Sequence, residues 1–195
     1  MTIIVGKEKK AYTLHKDLLC FYSDYFRAAL NGNFKEATER KLELLDVDTS
    51  LFDAFQVWVY TRDLQGPDGH HEYFKFLVDM WVLGDQHQIP LLQNQAMNEI
   101  FAKVKKSKLF SLPVVPVVYA KTMAGSPLRK AAIEIVAWNM HFKEWSPSTM
   151  GWTVECMSDL VLALHVARLN KEVTYPCLPK RDTCFFHVHG KDEHC

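Results

Sequence analysis

Leu14-His15-Lys16-Asp17-Leu18-Leu19-Cys20, followed by Ser23-Asp24-Tyr25-Phe26-Arg27-Ala28-Ala29-Leu30 and Phe34-Lys35-Glu36, decides how this chain is read. The alternation of Ala11 to Leu14 gives way at His15 to helical spacing, with Leu18, Leu19 and Tyr22 on one face. Ser23 is placed to cap a second helix whose inner face is Phe26, Ala29 and Leu30, and Gly32 to stop it. A charged segment then follows. The order is strand end, short helix, second helix, charged loop.

Working outward, Ile3 to Val5 and Ala11 to Leu14 read as two short strands joined by the polar turn Gly6 to Lys10. Leu42 and Leu44 alternate with Lys41 and Glu43, which predicts a third strand. Thr49 or Ser50 is expected to cap a helix carrying Leu51, Phe52, Phe55, Trp58 and Val59. Gln65 to His71 contains Gly-Pro-Asp-Gly and reads as a surface loop. Tyr73 to His87 and a segment opened by Pro90 read as further helices. Beyond Lys105 the signals stay helical, over Val114 to Ala124, over Leu128 to Phe142 behind Ser126-Pro127, and from Ser158 to Leu169. The last of these is expected to bury Leu160, Val161, Leu164 and Ala167. After Tyr175 the chain turns polar and reads as an irregular tail.

The 195 residues suffice for one large domain or a domain with a helical extension. Apolar residues make up 48% and aromatics 12%, enough to build a core and to exclude disorder over most of the length. Twenty-three basic residues balance 23 acidic ones, so the net charge of zero disfavours nucleic acid as a partner. The N-terminal segment lacks the pattern of a signal peptide, and the longest apolar run, Leu109 to Tyr119, is too short to span a membrane. Five cysteines, an odd number, with Cys20 and Cys156 each alone among helix formers, point to a reducing interior, cytoplasm or nucleus.

The opening stretch resembles the N-terminal signature of a BTB/POZ domain. Two later stretches carry the likeness further. Leu51-Phe52-Asp53-Ala54-Phe55 with Trp58-Val59-Tyr60-Thr61 resembles the helix ending in Trp-Leu-Tyr-Thr. Leu83 to Met97, with Ile89-Pro90 and Leu92-Gln93-Asn94, resembles a form abundant in filamentous fungi. Tyr119 to Thr122 and Gly125 to Arg129 are similar to the helical extension of that group. The resemblance implies an α+β BTB/POZ fold over residues 3–104, an all-helical extension over 105–172 and a Cys/His-rich tail over 173–195. It implies a protein-protein interaction module acting as an adaptor, not an enzyme, with a cullin scaffold or another BTB chain as partner. Within that reading Phe34 and Glu36 match the hydrophobic-x-Glu motif by which cullin-binding members contact their scaffold, and the C-terminal half recruits a substrate. The chain begins inside the first core strand, so a strand-swapped dimer is not expected. A monomer, a weak homodimer or a non-swapped pairing is.

Against the residues themselves, each candidate has a plainer alternative. Phe34 could cap the core and Glu36 be solvated. Asp17 suits a helix start and Lys103 to Lys108 a helix end, both through the macrodipole. Asp79, Asp85, His70, His71 and His87 share no metal-ligand spacing. No Gly-x-Ser-x-Gly, phosphate loop or His-Glu-x-x-His occurs, so no catalytic set is legible. No cofactor is required by this reading. The tail is the sharpest chemical signal: Cys184-x-x-His187 has a spacing that zinc sites use, and Cys177 and Cys195 could complete a structural site, with His189 or His194 as substitutes. Two other classes stay open, a BTB oligomerisation scaffold without a ubiquitin role and a zinc-dependent nucleic-acid-associated protein.

Overall fold

The computed structural model describes residues 1–32, 34–139, 151–169 and 182–190. Three short strands form one sheet: β1 (Thr2–Val5), β2 (Lys10–Thr13) and β3 (Lys41–Leu44), in the order β2-β1-β3. β1 runs antiparallel to β2 and parallel to β3. The register sets Ile3 between Tyr12 and Leu42 in one row, with Val5 beside Leu44. All five are buried. Side chains alternate across a strand, so one face carries the core and the other carries Thr2, Ile4, Ala11, Lys41 and Glu43.

Around this sheet lie α1 (Lys16–Tyr22), α2 (Asp24–Asn31), α3 (Lys35–Glu39), α4 (Thr49–Thr61), α5 (His70–Gln86) and α6 (Pro90–Ser107). The Ser23 hydroxyl caps α2 by accepting from the Phe26 amide at 2.9 Å, as its position in the sequence foretells. The cap of α4 is Asp48, not Thr49 or Ser50: one carboxylate oxygen accepts from the amides of Ser50 and Leu51. A carboxylate outcompetes a hydroxyl there because it also answers the positive end of the helix. The Ser50 hydroxyl, which donates to the same oxygen, and these amides hold the Asp48 carboxyl below its ordinary value. α5 starts at His70 rather than Tyr73, because Gly69 takes a positive φ of 101° that turns the chain directly into the helix.

The extension comprises α7 (Val114–Lys121), α8 (Pro127–Asn139) and α9 (Val154–Leu169). Pro116 is tolerated in α7 because it stands in the first turn, where the amide has no intrahelical partner. α9 begins at Val154 rather than Ser158, since Thr153 supplies the cap through its hydroxyl to the Cys156 amide at 3.3 Å. Val161, expected on the buried face, points to solvent, while Leu160 is buried. The main core runs without interruption from the sheet through α4, α5 and α6 into Val114, Val118, Leu128 and Ile135. A second core joins α7, α8 and α9 around Val115, Tyr119, Ile133, Val136, Cys156 and Leu160.

Arg129 ties that second core together. Its side chain is 9% exposed. It donates to the Tyr119 carbonyl at 2.8 Å, to the Thr122 carbonyl and hydroxyl, and to Glu155 at 2.6 Å. The Tyr119 hydroxyl in turn donates to Asp159 at 2.6 Å, and burial with that carboxylate pushes the phenol far above its ordinary value. One guanidinium thus satisfies the C-terminal carbonyls of α7 and reaches α9.

The tail is not irregular throughout. Thr183–Phe186 forms a 3₁₀ helix, capped by the Asp182 carboxylate on the Cys184 amide. Phe186 is 1% exposed and lies against Phe101 of α6, ring centroids 5.1 Å apart. Its burial outweighs the polar composition that suggested a loose end, since a full Phe side chain contributes about 2–3 kcal/mol on leaving water.

Candidate interaction surface

Phe34 sits at the start of α3, in the N-cap position, with extended backbone. Its ring is 59% exposed, so it does not cap the core. It folds back over Gly32, where an added Cβ would meet the ring at 2.8 Å. Glu36 occupies the first turn of α3 and is half-buried. The Phe34 carbonyl accepts from Ala37 and Thr38, and Arg40 ends the helix in the left-handed region at φ 51°. The motif is therefore held on a short, backbone-bonded helix between α2 and β3. An apolar ring beside a carboxylate, presented on such a platform, suits contact with another protein.

A second exposed apolar set lies on α1 and α4: Phe21, Val57 and Tyr60. The helices beneath it are fastened by a polar cluster. Trp58 donates to Gln95 at 2.8 Å, and Gln95 donates to the Arg62 carbonyl at 2.6 Å. The Arg62 guanidinium stacks on Tyr22 at 3.2 Å and lies over Trp58 at 4.3 Å. Its terminal nitrogens are buried and have no hydrogen-bond partner among the described residues. The two aromatic faces offset part of that cost. Cys20 is half-buried and packs against the core, with Asn31 near its sulfur.

In the tail, the described contacts of His187 and Cys184 run to different residues. His187 Nε2 faces Asn98 Oδ1 on α6 at 2.8 Å, and burial with His189 nearby holds the ring below the ordinary imidazole value. Cys184 Sγ lies instead 3.4 Å from His189 Nε2. Cys177, His194 and Cys195 fall outside the described residues. Among the described residues no three His, Cys, Asp or Glu side chains converge as a metal site. The contact that the sequence hid is Asn94. Its side chain donates to the Val188 carbonyl at 2.9 Å and accepts from the Val188 amide at 2.7 Å, as a neighbouring strand would. An asparagine in a helix reading Leu92-Gln93-Asn94 gives no sign of this.

Of the remaining candidates, His87 is buried and structural. Asp79 lies between Lys75 at 2.8 Å and Lys121 at 2.5 Å. Among the described residues no helix is long and apolar enough to cross a membrane.

The described side chains thus offer exposed apolar surfaces and docking contacts of the kind an interaction module uses. A family model for the BTB/POZ domain matches residues 1–96, and this part of the chain is a BTB/POZ domain. Such domains mediate protein-protein interaction and oligomerisation and are typically not enzymes, and that interaction role holds for this chain. A search of curated proteins finds no match.

Proposed function

We propose that the chain is a substrate adaptor for a cullin-type ubiquitin ligase, with Phe34 and Glu36 facing the cullin. The observation that carries the reading is the solvent-facing Phe34 ring, set one residue before a short helix that presents Glu36. A large apolar ring left in water gains by entering a partner's pocket, and the carboxylate orients the pair. The helical extension, continuous with the core, would then carry the substrate. A pull-down with the cullin scaffold of BTB ligases tests this, comparing wild type with Phe34→Ala/Glu36→Ala. Binding by wild type and loss in the double variant, with circular dichroism unchanged, is the expected result. No binding by wild type removes the ligase reading and favours a BTB oligomerisation scaffold, for which the exposed Phe21, Val57 and Tyr60 offer a face.

A structural zinc in the tail is supported by one distance. Two ligands of a tetrahedral zinc, with bonds of about 2.3 Å to sulfur and 2.0 Å to nitrogen, lie roughly 3.5 Å apart. Cys184 Sγ and His189 Nε2 are 3.4 Å apart. Cys184 and His189 are then the ligands of choice, with Cys177, Cys195 or His194 to complete the set and His187 engaged with Asn98. Zinc content of the purified chain, compared with Cys184→Ser, tests it. A metal-free wild-type chain after purification in zinc-supplemented medium would sink the idea. Nucleic-acid association stays the weaker companion of this site, because the net charge is zero.

A further inference from the structure

An open cleft of about 1140 Å³ runs between α4 and α5 and ends against the last turn of α7. Its apolar floor is built by Leu51, Ala54, Phe76 and Val82. Three of these, Leu51, Ala54 and Phe76, stay partly exposed. The loop over Gln65 to Pro67 forms one lip. Its Gly66 lies flat on Phe76, where a Cβ would come within 2.6 Å of the ring. The shape of the mouth is set by that close packing.

The charge of the lining is lopsided. Lys75 and Lys121 both bind Asp79, which is 12% exposed, so the two ammonium groups are already engaged with one carboxylate. Asp46, Asp48 and Glu72 stand around the same cleft, and none forms an ion pair among the described residues. Asp48 faces the start of α4. Asp46 and Glu72 are exposed. The whole chain is neutral, so this is a local excess of negative charge over an apolar floor.

We propose that this cleft docks a polypeptide segment in which an apolar side chain is flanked by lysine or arginine. The apolar residue enters over Leu51 and Phe76, and the basic flanks meet Asp46 and Glu72. Phosphate-bearing partners are repelled by the same carboxylates. A small ligand would be left largely uncovered by so open a site. The inference rests on the interaction role of the BTB domain and is independent of Phe34.

The test pans a random dodecapeptide phage library against the full chain, with the Asp46→Lys/Glu72→Lys variant panned in parallel. The expected consensus places Lys or Arg on both sides of Leu, Ile or Phe. A synthetic peptide of that consensus should lose at least about tenfold in affinity on the charge-reversed variant and weaken with salt. Asp46→Asn/Glu72→Gln should give a smaller loss, and decides the matter should the reversed variant misfold. Phe34→Ala/Glu36→Ala should bind the peptide as wild type does, and the charge variants should keep any cullin binding. No enrichment, a consensus without basic residues, or equal affinity for the charge variants overturns the proposal.

Discussion

The Ser23 hydroxyl donates to the His87 carbonyl at 2.5 Å while accepting from the Phe26 amide, so one buried side chain caps α2 and fastens it to the turn between α5 and α6. The two residues are 64 positions apart in the chain. His87 stacks on Phe26, interplanar angle 15°, and meets Tyr25 edge-on. Its Nδ1 faces the Leu83 carbonyl at 2.9 Å. This fixes the neutral ring with the proton on Nδ1.

Ser23→Ala removes a helix cap and leaves a buried carbonyl unpaired. The combined cost is about 2–3 kcal/mol. Urea denaturation monitored by circular dichroism measures it. A loss below about 0.5 kcal/mol would show that the hydroxyl bonds neither group in solution.

Burial holds His87 below its ordinary imidazole value. The unfolded chain titrates near pH 6.5. Below that pH the unfolded state takes up a proton that the folded state refuses, so stability is full above it and falls as the solution is acidified. His187 has the same sign. Asp85, whose carboxyl burial holds above its usual value, opposes both as acidification proceeds. The melting temperature should drop between pH 7.5 and 5.5. His87→Gln should flatten the slope in a background carrying His187→Gln, and an unchanged slope would put the titration elsewhere.

Arg129→Met withdraws the partner of the Tyr119 and Thr122 carbonyls at the end of α7. About 2–4 kcal/mol is expected, because the groups left behind are buried. Arg129→Lys should recover little, since a point ammonium cannot serve carbonyl, hydroxyl and carboxylate together. Glu155→Gln should cost under about 1 kcal/mol, because that carboxylate is half in water. Chemical denaturation of the three variants separates a buried backbone clamp from a surface ion pair, which would show the reverse order.

Phe186→Ala and Asn94→Ala both loosen the segment 182–190 from α6. The first empties an apolar seat against Phe101, worth about 3–4 kcal/mol where the site cannot collapse. The second removes two bonds to the Val188 backbone. The global loss is limited to the free energy that holds this segment down, so the sharper readout is local. Limited proteolysis and amide exchange should show residues 182–190 exposed first in both variants while α4 stays protected. Unchanged protection would mean that this segment draws its order from elsewhere.

The opening third of the fold was legible because its cues are local. Strand alternation at Ile3 and Val5, the Ser23 cap and the faces of α2 and α4 are each decided within a few residues. The order of BTB-like segments carried the rest. What escaped depends on contacts distant in sequence. Phe186 reads as part of a polar tail because its burial depends on α6 and α8, and the contact of Cys184 with His189 leaves no sign in a spacing that pairs Cys184 with His187. The cleft over Phe76 leaves no sign in the sequence because its walls come from three helices and two loops. Asp48 was passed over as a cap because hydroxyls followed immediately after it.

Two phenylalanines separate stability from recognition. Phe26 and Phe34 lie on either side of Gly32, yet one is in the core and the other in water. Phe26→Ala should cost about 3–5 kcal/mol, the transfer of a ring plus the cavity it leaves beside Phe55 and His87. Phe34→Ala should stay within about 0.5 kcal/mol of wild type, because the ring gives up little contact with the fold. Equilibrium unfolding of the two variants side by side checks this. A loss above about 2 kcal/mol at Phe34 would make it a folding residue and leave the adaptor reading without its anchor, whereas a neutral substitution leaves the exposed ring to be accounted for by a partner.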